Sequence, residues 1–155
     1  MPRIEQSVLI EAPIERVYRI AKNVEAFPEF MADLQSLSVL ERSPDGARTV
    51  TAWVGLIREF KMMVKWTQED LWDDAAHRDE FRMLQGDMDL MEGYWQFTAE
   101  GDNRTRFDSV VDYEYNVPLI GPMVKSLIKK KMTENLQATL NAIKQRAEAK
   151  NLQQD

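Results

Sequence analysis

Hydrophobic positions along this chain recur first at a period of two, then at helical spacing, then through the middle of the chain at a period of two again, and finally at helical spacing. In RIEQSVLIEAP, Ile4, Val8 and Ile10 share one face, the alternation of a strand. Pro13 opens PIERVYRIAKN, where Ile14, Val17, Tyr18 and Ala21 recur as on one side of a helix. The segment Asn23 to Phe30, NVEAFPEF, predicts a second short helix whose length Pro28 limits.

The middle of the chain predicts an antiparallel meander. LSVLE ends at the Pro-Asp-Gly turn RSPDGA. ARTVTAWVGL alternates Val50, Ala52, Val54 and Leu56 against Thr49, Thr51, Trp53 and Gly55. REFKMMVKWTQED alternates Phe60, Met62, Val64 and Trp66 against Lys61, Met63, Lys65 and Thr67. HRDEFRML sets Phe81 and Met83 opposite Arg78, Glu80 and Arg82. DLMEGYWQFTAE places Met91, Trp95 and Phe97 together. After the turn GDN, RTRFDSVVDYEY opposes Phe107, Ser109, Val111, Tyr113 and Tyr115 to Arg106, Asp108, Val110, Asp112 and Glu114. Hairpin-linked strands of this kind keep one wet and one dry face. The order of one strand, two short helices, about six further strands and a long helix is an α+β plan. The long helix, from Leu119 or Pro122 to about Ala147, is the only predicted element large enough to cover the dry face.

That helix carries an inconsistency. At about 100° per residue, Ile120, Met123, Val124, Leu127 and Ile128 form one apolar stripe, and Met132, Leu136, Leu140, Ile143 and Ala147 another. The stripes are rotated by roughly a third of a turn, and Lys131 falls within the first. Either the helix bends near Lys130–Thr133, or its first part packs elsewhere. The short helices near Val24–Phe30 offer one such surface; the alternative is that the first part borders a pocket mouth.

Composition narrows the function classes. A chain of 155 residues with 44% hydrophobic positions suits one domain, expected over 1–150 with a polar tail at 151–155. The net charge of -6 and pI near 4.9 argue against broad nucleic-acid binding, which needs a basic face to displace counterions. Lys125, Lys129, Lys130 and Lys131 are a local basic exception and predict weak peripheral contact with an anionic membrane surface. The absence of cysteine excludes disulfides, thiolate metal sites and cysteine nucleophiles. No apolar run approaches the roughly 20 residues of a membrane span, and the first residues lack a signal-peptide core. A cytoplasmic protein, free to touch a membrane peripherally, is expected.

Chemistry-bearing motifs are few. His77 is the only histidine, so a histidine-rich metal cluster is excluded; in HRDEF it lies beside Asp79 and Glu80 and reads foremost as a solvated residue at a strand start. No Ser–His–Asp spacing or Gly-rich phosphate loop occurs. No metal and no cofactor are expected. Trp66, Phe81, Met83, Met91, Trp95, Phe97, Phe107, Tyr113 and Tyr115 are spaced to lie on dry faces, as core or as cavity lining. Ser109 and the Tyr113 hydroxyl are polar positions on a dry strand.

The order and spacing of several segments carry a resemblance. QSVLIEAPIERVYRIAKNVEAFPEFM resembles the first strand, APxExV helix and D-x-x-x-(Y/F)-P-x-F segment of the START-related, Bet v 1-like superfamily, with Asn23 where Asp is common. LMEGYWQF is similar to its LxGxWxF strand. Proteins of this superfamily are often labelled polyketide cyclase/dehydrase and lipid transport, and the chain looks most like the coenzyme Q-binding branch. The resemblance implies a helix-grip fold: a curved antiparallel sheet of six to seven strands wrapped around a long C-terminal helix and enclosing an apolar cavity. It implies binding of a hydrophobic small molecule, such as a lipid or an isoprenoid quinone. Expected ligand contacts are Trp66, Phe81, Met83, Trp95, Phe97, Ser109, Tyr113, Met123 and Leu127. An aromatase/cyclase-type enzyme is the alternative, with Tyr113 and Arg82 polarising a carbonyl. A partner-binding module of a toxin–antitoxin system is a third. Fold does not decide among these.

Overall fold

The computed structural model describes residues 2–57, 61–115 and 122–149. Phe60, Pro118, Leu119, Ile120 and the expected tail 151–155 lie outside them. Seven strands form one antiparallel sheet: β1 (Arg3–Ile10), β2 (Leu34–Arg42), β3 (Arg48–Ile57), β4 (Met62–Asp73), β5 (Arg78–Gly86), β6 (Leu90–Ala99) and β7 (Thr105–Glu114). Their order is β1-β7-β6-β5-β4-β3-β2, a meander that the first strand joins at its far edge. Helix α1 (Ile14–Lys22) and a 3-10 helix (Val24–Glu29) follow β1, and helix α2 (Pro122–Glu148) closes the chain. This is the expected α+β helix grip, with the sheet curved around α2.

Local chemistry makes these elements. In the β2–β3 turn, the Asp45 carboxylate accepts bonds from the Ser43 hydroxyl (2.7 Å) and the Ala47 amide (3.0 Å). Gly46 there takes a positive φ of 74°, which a side chain would oppose. Gly93, in β6, answers a different need. A Cβ on it would stand 2.0 Å from the Val110 carbonyl oxygen and 3.1 Å from the Phe81 ring. Glycine therefore lets β6 and β7 approach there and lets the Phe81 ring lie over its register partner.

The concave face follows the expected alternation in β4 to β7. In β3 it carries Thr51, Trp53, Gly55 and Ile57, so the set containing Trp53 turns inward and Val54 and Leu56 turn outward. Two groups of core residues result. One joins α1, the 3-10 helix and the later turns of α2 to Trp72, Trp95, Phe97 and Phe107. The other joins Ile4, Ile57, Val64, Met88, Met91, Val111 and Tyr113, with Met132 and Leu136 packed against it.

Helix α2 is seated over one half of the sheet. Gln6 Nε2 donates to the Thr133 carbonyl (2.9 Å), Lys144 Nζ to the Leu9 carbonyl (2.6 Å), and Arg16 Nε to the Ala147 carbonyl (2.7 Å). These bonds tie the helix to β1 and α1. The concave side of β3, β4 and β5 is left to be roofed by the 3-10 helix and the loop to β2. The two rotated stripes have different surroundings, and Ile128 of the earlier one lines a cavity between α2 and the sheet. The later stripe packs, with Leu140 and Ile143 at 0% exposure. Of the earlier stripe only Ile128 is buried among the described residues; Met123 is 84% exposed, and Val124 and Leu127 are 39% exposed. The first turns of α2 therefore do not pack on the short helices.

A cavity with a buried acid pair

Because α2 covers only one side of a curved sheet, a cavity of about 480 Å³ remains between the helix and β3, β4 and β5. That volume lies within the range of roughly 300–1,000 Å³ typical of small-molecule sites. Its walls are mainly apolar: Trp53, Val64, Trp66, Phe81, Met91, Trp95, Val111, Ile128, Met132 and Leu136 all contribute. Trp53 and Trp66 stack with centroids 5.5 Å apart and 12° between planes; Phe81 meets Trp95 edge-on at 6.4 Å. The exposed lining positions Ala32, Ala138, Asn141 and Gln145 put an opening between the loop before β2 and the outer flank of α2.

Polar atoms accompany the apolar lining on both β3 and β4. Trp53 Nε1 donates to Thr51 Oγ1 (2.7 Å). On β4, Trp66 Nε1 donates to Gln68 Oε1 (2.7 Å), and Gln68 Nε2 donates to Asp70 Oδ1 (2.8 Å). Positions 66, 68 and 70 share the concave face because a strand repeats every two residues. Asp79 reaches the same place from β5. The register sets Asp70 opposite Phe81 and Trp72 opposite Asp79, so the two aspartates are diagonal neighbours.

Both acids are buried, Asp70 at 4% exposure and Asp79 at 1%. Among the described residues, no Lys, Arg or His pairs with either, and Asp79 Oδ1 has no hydrogen-bond partner. Burial, then the charge of Asp70, pushes the Asp79 carboxyl well above the ordinary carboxylate range. Burial also raises Asp70, opposed by hydrogen bonding to Asp79 and Gln68. Two carboxyls in contact out of water cannot both ionise cheaply, so the pair retains a proton. No group of three or more His, Asp or Glu placed to hold a metal occurs among the described residues.

Trp66, Phe81 and Trp95, named from the sequence, line this cavity. The other named residues stand elsewhere. Phe97 is stacked on Phe107 at 4.4 Å inside the core. Met83 and Tyr113 belong to the second core group, where burial raises the Tyr113 hydroxyl pKa. Ser109 is buried beside Gln6, its register partner on β1, and its Oγ is unpartnered. Met123 and Leu127 are at the exposed start of α2. Arg82 points away from the cavity, on the convex face, where its Nε lies 3.0 Å from Glu69 Oε1. It does not meet Tyr113. His77 has its Nε2 2.7 Å from Glu15 Oε1, at the surface.

Asp70 and Gln68 were absent from the sequence-based set, and Asp79 was noted only as a neighbour of His77. A signal for them existed: continuing the alternation from Trp66 puts Gln68 and Asp70 on the dry face, and the parity of Phe81 and Met83 does the same for Asp79.

Comparison with known proteins agrees with this architecture. A Thermus thermophilus protein of known crystal structure is 36% identical, superposes with a TM-score of 0.87, and shares 94% of this chain and 97% of its own. A START superfamily protein from Mycobacterium smegmatis superposes at 0.79 with 22% identity, over 94% of this chain and 97% of that one. In sequence, the ribosome association toxin RatA of Pseudomonas aeruginosa is 23% identical over 93% of this chain and 94% of its own length. The family model described as polyketide cyclase / dehydrase and lipid transport matches residues 10–140, and the chain belongs to that family.

Proposed function

We propose that the protein binds a hydrophobic small molecule of the lipid or isoprenoid-quinone class in the cavity between α2 and strands β3 to β5. The observation that carries this reading is the incompletely roofed, largely apolar space of about 480 Å³, with polar atoms accompanying the apolar lining on β4. Burial of apolar surface drives such binding, and a few placed polar groups orient the ligand. Trp66, Phe81 and Trp95 are the proposed contacts; the quinone class comes from the resemblance to the coenzyme Q-binding branch. Native mass spectrometry after purification, followed by solvent extraction, tests it. A co-purifying apolar ligand, or saturable uptake of an added quinone or lipid, is expected; an empty protein that takes up neither overturns it.

The exposed Met123, Val124 and Leu127, flanked by Lys125, Lys129, Lys130 and Lys131, support transient docking of the start of α2 on an anionic membrane during ligand exchange.

A second reading, binding to a macromolecular partner, is favoured by the RatA similarity, which runs almost the full length of both chains. Co-sedimentation with ribosomes tests it, and a protein that stays in the supernatant removes it. A cyclase-type activity has the support of 28% identity over 102 residues with the actinorhodin polyketide synthase bifunctional cyclase/dehydratase of Streptomyces coelicolor. In this chain the buried carboxyls that line the cavity are Asp70 and Asp79, so turnover that survives loss of both rules out acid–base catalysis by the pair.

A further inference from the structure

The acid pair has no counter-charge in the protein. Asp70 Oδ1 is used by Gln68, Gln68 Oε1 by Trp66, and no cation among the described residues reaches either carboxyl. Asp79 is 1% exposed, lines the cavity, and keeps Oδ1 without a partner. A proton shared between the carboxyls leaves the second carboxyl without a counter-charge when it ionises, and Asp79 Oδ1 is an unpartnered acceptor buried in the cavity wall. Such a charge is costly unless something supplies its partner. The surroundings are aromatic: Trp95 is the register partner of Asp79, Phe81 is the next concave residue along β5, and the Trp53–Trp66 stack lies on the neighbouring wall. Aromatic faces beside carboxylates attract cations.

We propose that the Asp70–Asp79 pair is the recognition site for a protonated amine carried on an apolar body. The ammonium donates to Asp79 Oδ1 and supplies the missing positive charge, while the body fills the space toward Met132 and Leu136. A neutral alcohol satisfies the acceptor and leaves the charge. This inference rests on the reading of the cavity as an apolar-ligand site and narrows it.

The test is calorimetric titration of the full chain with octylamine, octanol and octanoate at neutral pH and about 150 mM salt, where surface attraction is screened. The wild type is expected to bind octylamine at least about tenfold more tightly than octanol, with octanoate weakest. The double variant Asp70→Asn/Asp79→Asn, which removes the charge that either carboxyl alone would keep, is expected to bring amine and alcohol within about twofold of one another. Octanol binding without an amine preference in the wild type overturns the amine assignment and leaves the apolar-cavity reading standing. An amine preference that survives in the double variant also overturns it, because the acidic surface is then responsible. Binding of none of the three overturns both.

Discussion

At the scale of single residues, Asp79 concentrates the molecule's tension between stability and function. Its carboxyl holds a proton in the folded protein at pH values where the unfolded chain has released it. From about pH 4 upward, through the raised folded value, the folded state therefore binds more protons than the unfolded one, and stability falls as pH rises. The Asp74 and Asp112 carboxyls work the other way: Lys22 and Arg3 hold them low, so their stabilisation is lost as pH falls below the ordinary carboxylate range. Exposed pairs of that kind contribute little. Asp79→Asn is expected to stabilise the protein by about 1–2 kcal/mol at pH 8 and to flatten the decline between pH 5 and pH 8. Urea denaturation at the two pH values measures this; an unchanged slope in the variant removes Asp79 as its source. Gly93→Ala is expected to cost about 2–4 kcal/mol, because its Cβ would stand 2.0 Å from a backbone oxygen that cannot yield as a side chain can. A thermal melt within experimental error of wild type contradicts that account. The glycine is visible in the sequence within LMEGYWQF, but the reason for it is not, since the colliding Val110 carbonyl belongs to a strand that only sheet assembly brings alongside.

At the scale of elements, α2 divides into a packed part and an uncovered part. Leu140 sits at 0% exposure in the core and Met123 at 84% near the first turn. Leu140→Ala is accordingly expected to cost about 3–4 kcal/mol, as buried Leu truncations do. Met123→Glu and Leu127→Glu together are expected to change stability by less than about 1 kcal/mol. The same double variant is expected to abolish sedimentation with anionic vesicles, which the membrane-docking proposal requires of the wild type. Wild-type protein that stays in solution with such vesicles removes the proposal. The rotation between the two stripes was legible from spacing alone, because helical geometry is local. Which stripe packs was not legible, because that depends on where the sheet ends. The same limit acted on β3, where the more uniformly apolar set of Val50, Ala52, Val54 and Leu56 looks like the core face, yet Thr51, Trp53 and Gly55 turn inward. Pairing with β4 puts Trp53 opposite Trp66, and their stacking settles the face.

At the scale of the whole molecule, the seating of α2 on β1 and α1 produces the cavity. The bonds from Gln6, Lys144 and Arg16 hold the helix to one side, so apolar surface on β3, β4 and β5 stays partly uncovered. A ligand that fills this space binds the native state alone and must stabilise it. At a hundred times its dissociation constant, it is expected to add about 2.7 kcal/mol, seen as an upward shift of the melting temperature that saturates with concentration. Ligands that bind without shifting the melt do not occupy this cavity. The sequence by itself determined the strand–helix order, the antiparallel meander, the long closing helix and the exclusion of cysteine chemistry, since these follow from periodicity and residue content, which are local. It also placed Trp66, Phe81 and Trp95 on inward faces. Only the tertiary structure decided that Asp70 and Asp79 meet, that Arg82 faces solvent, and that the start of α2 is uncovered. Those outcomes depend on register between strands and on the lateral seating of one helix, and neither is written in the spacing of residues along a single strand.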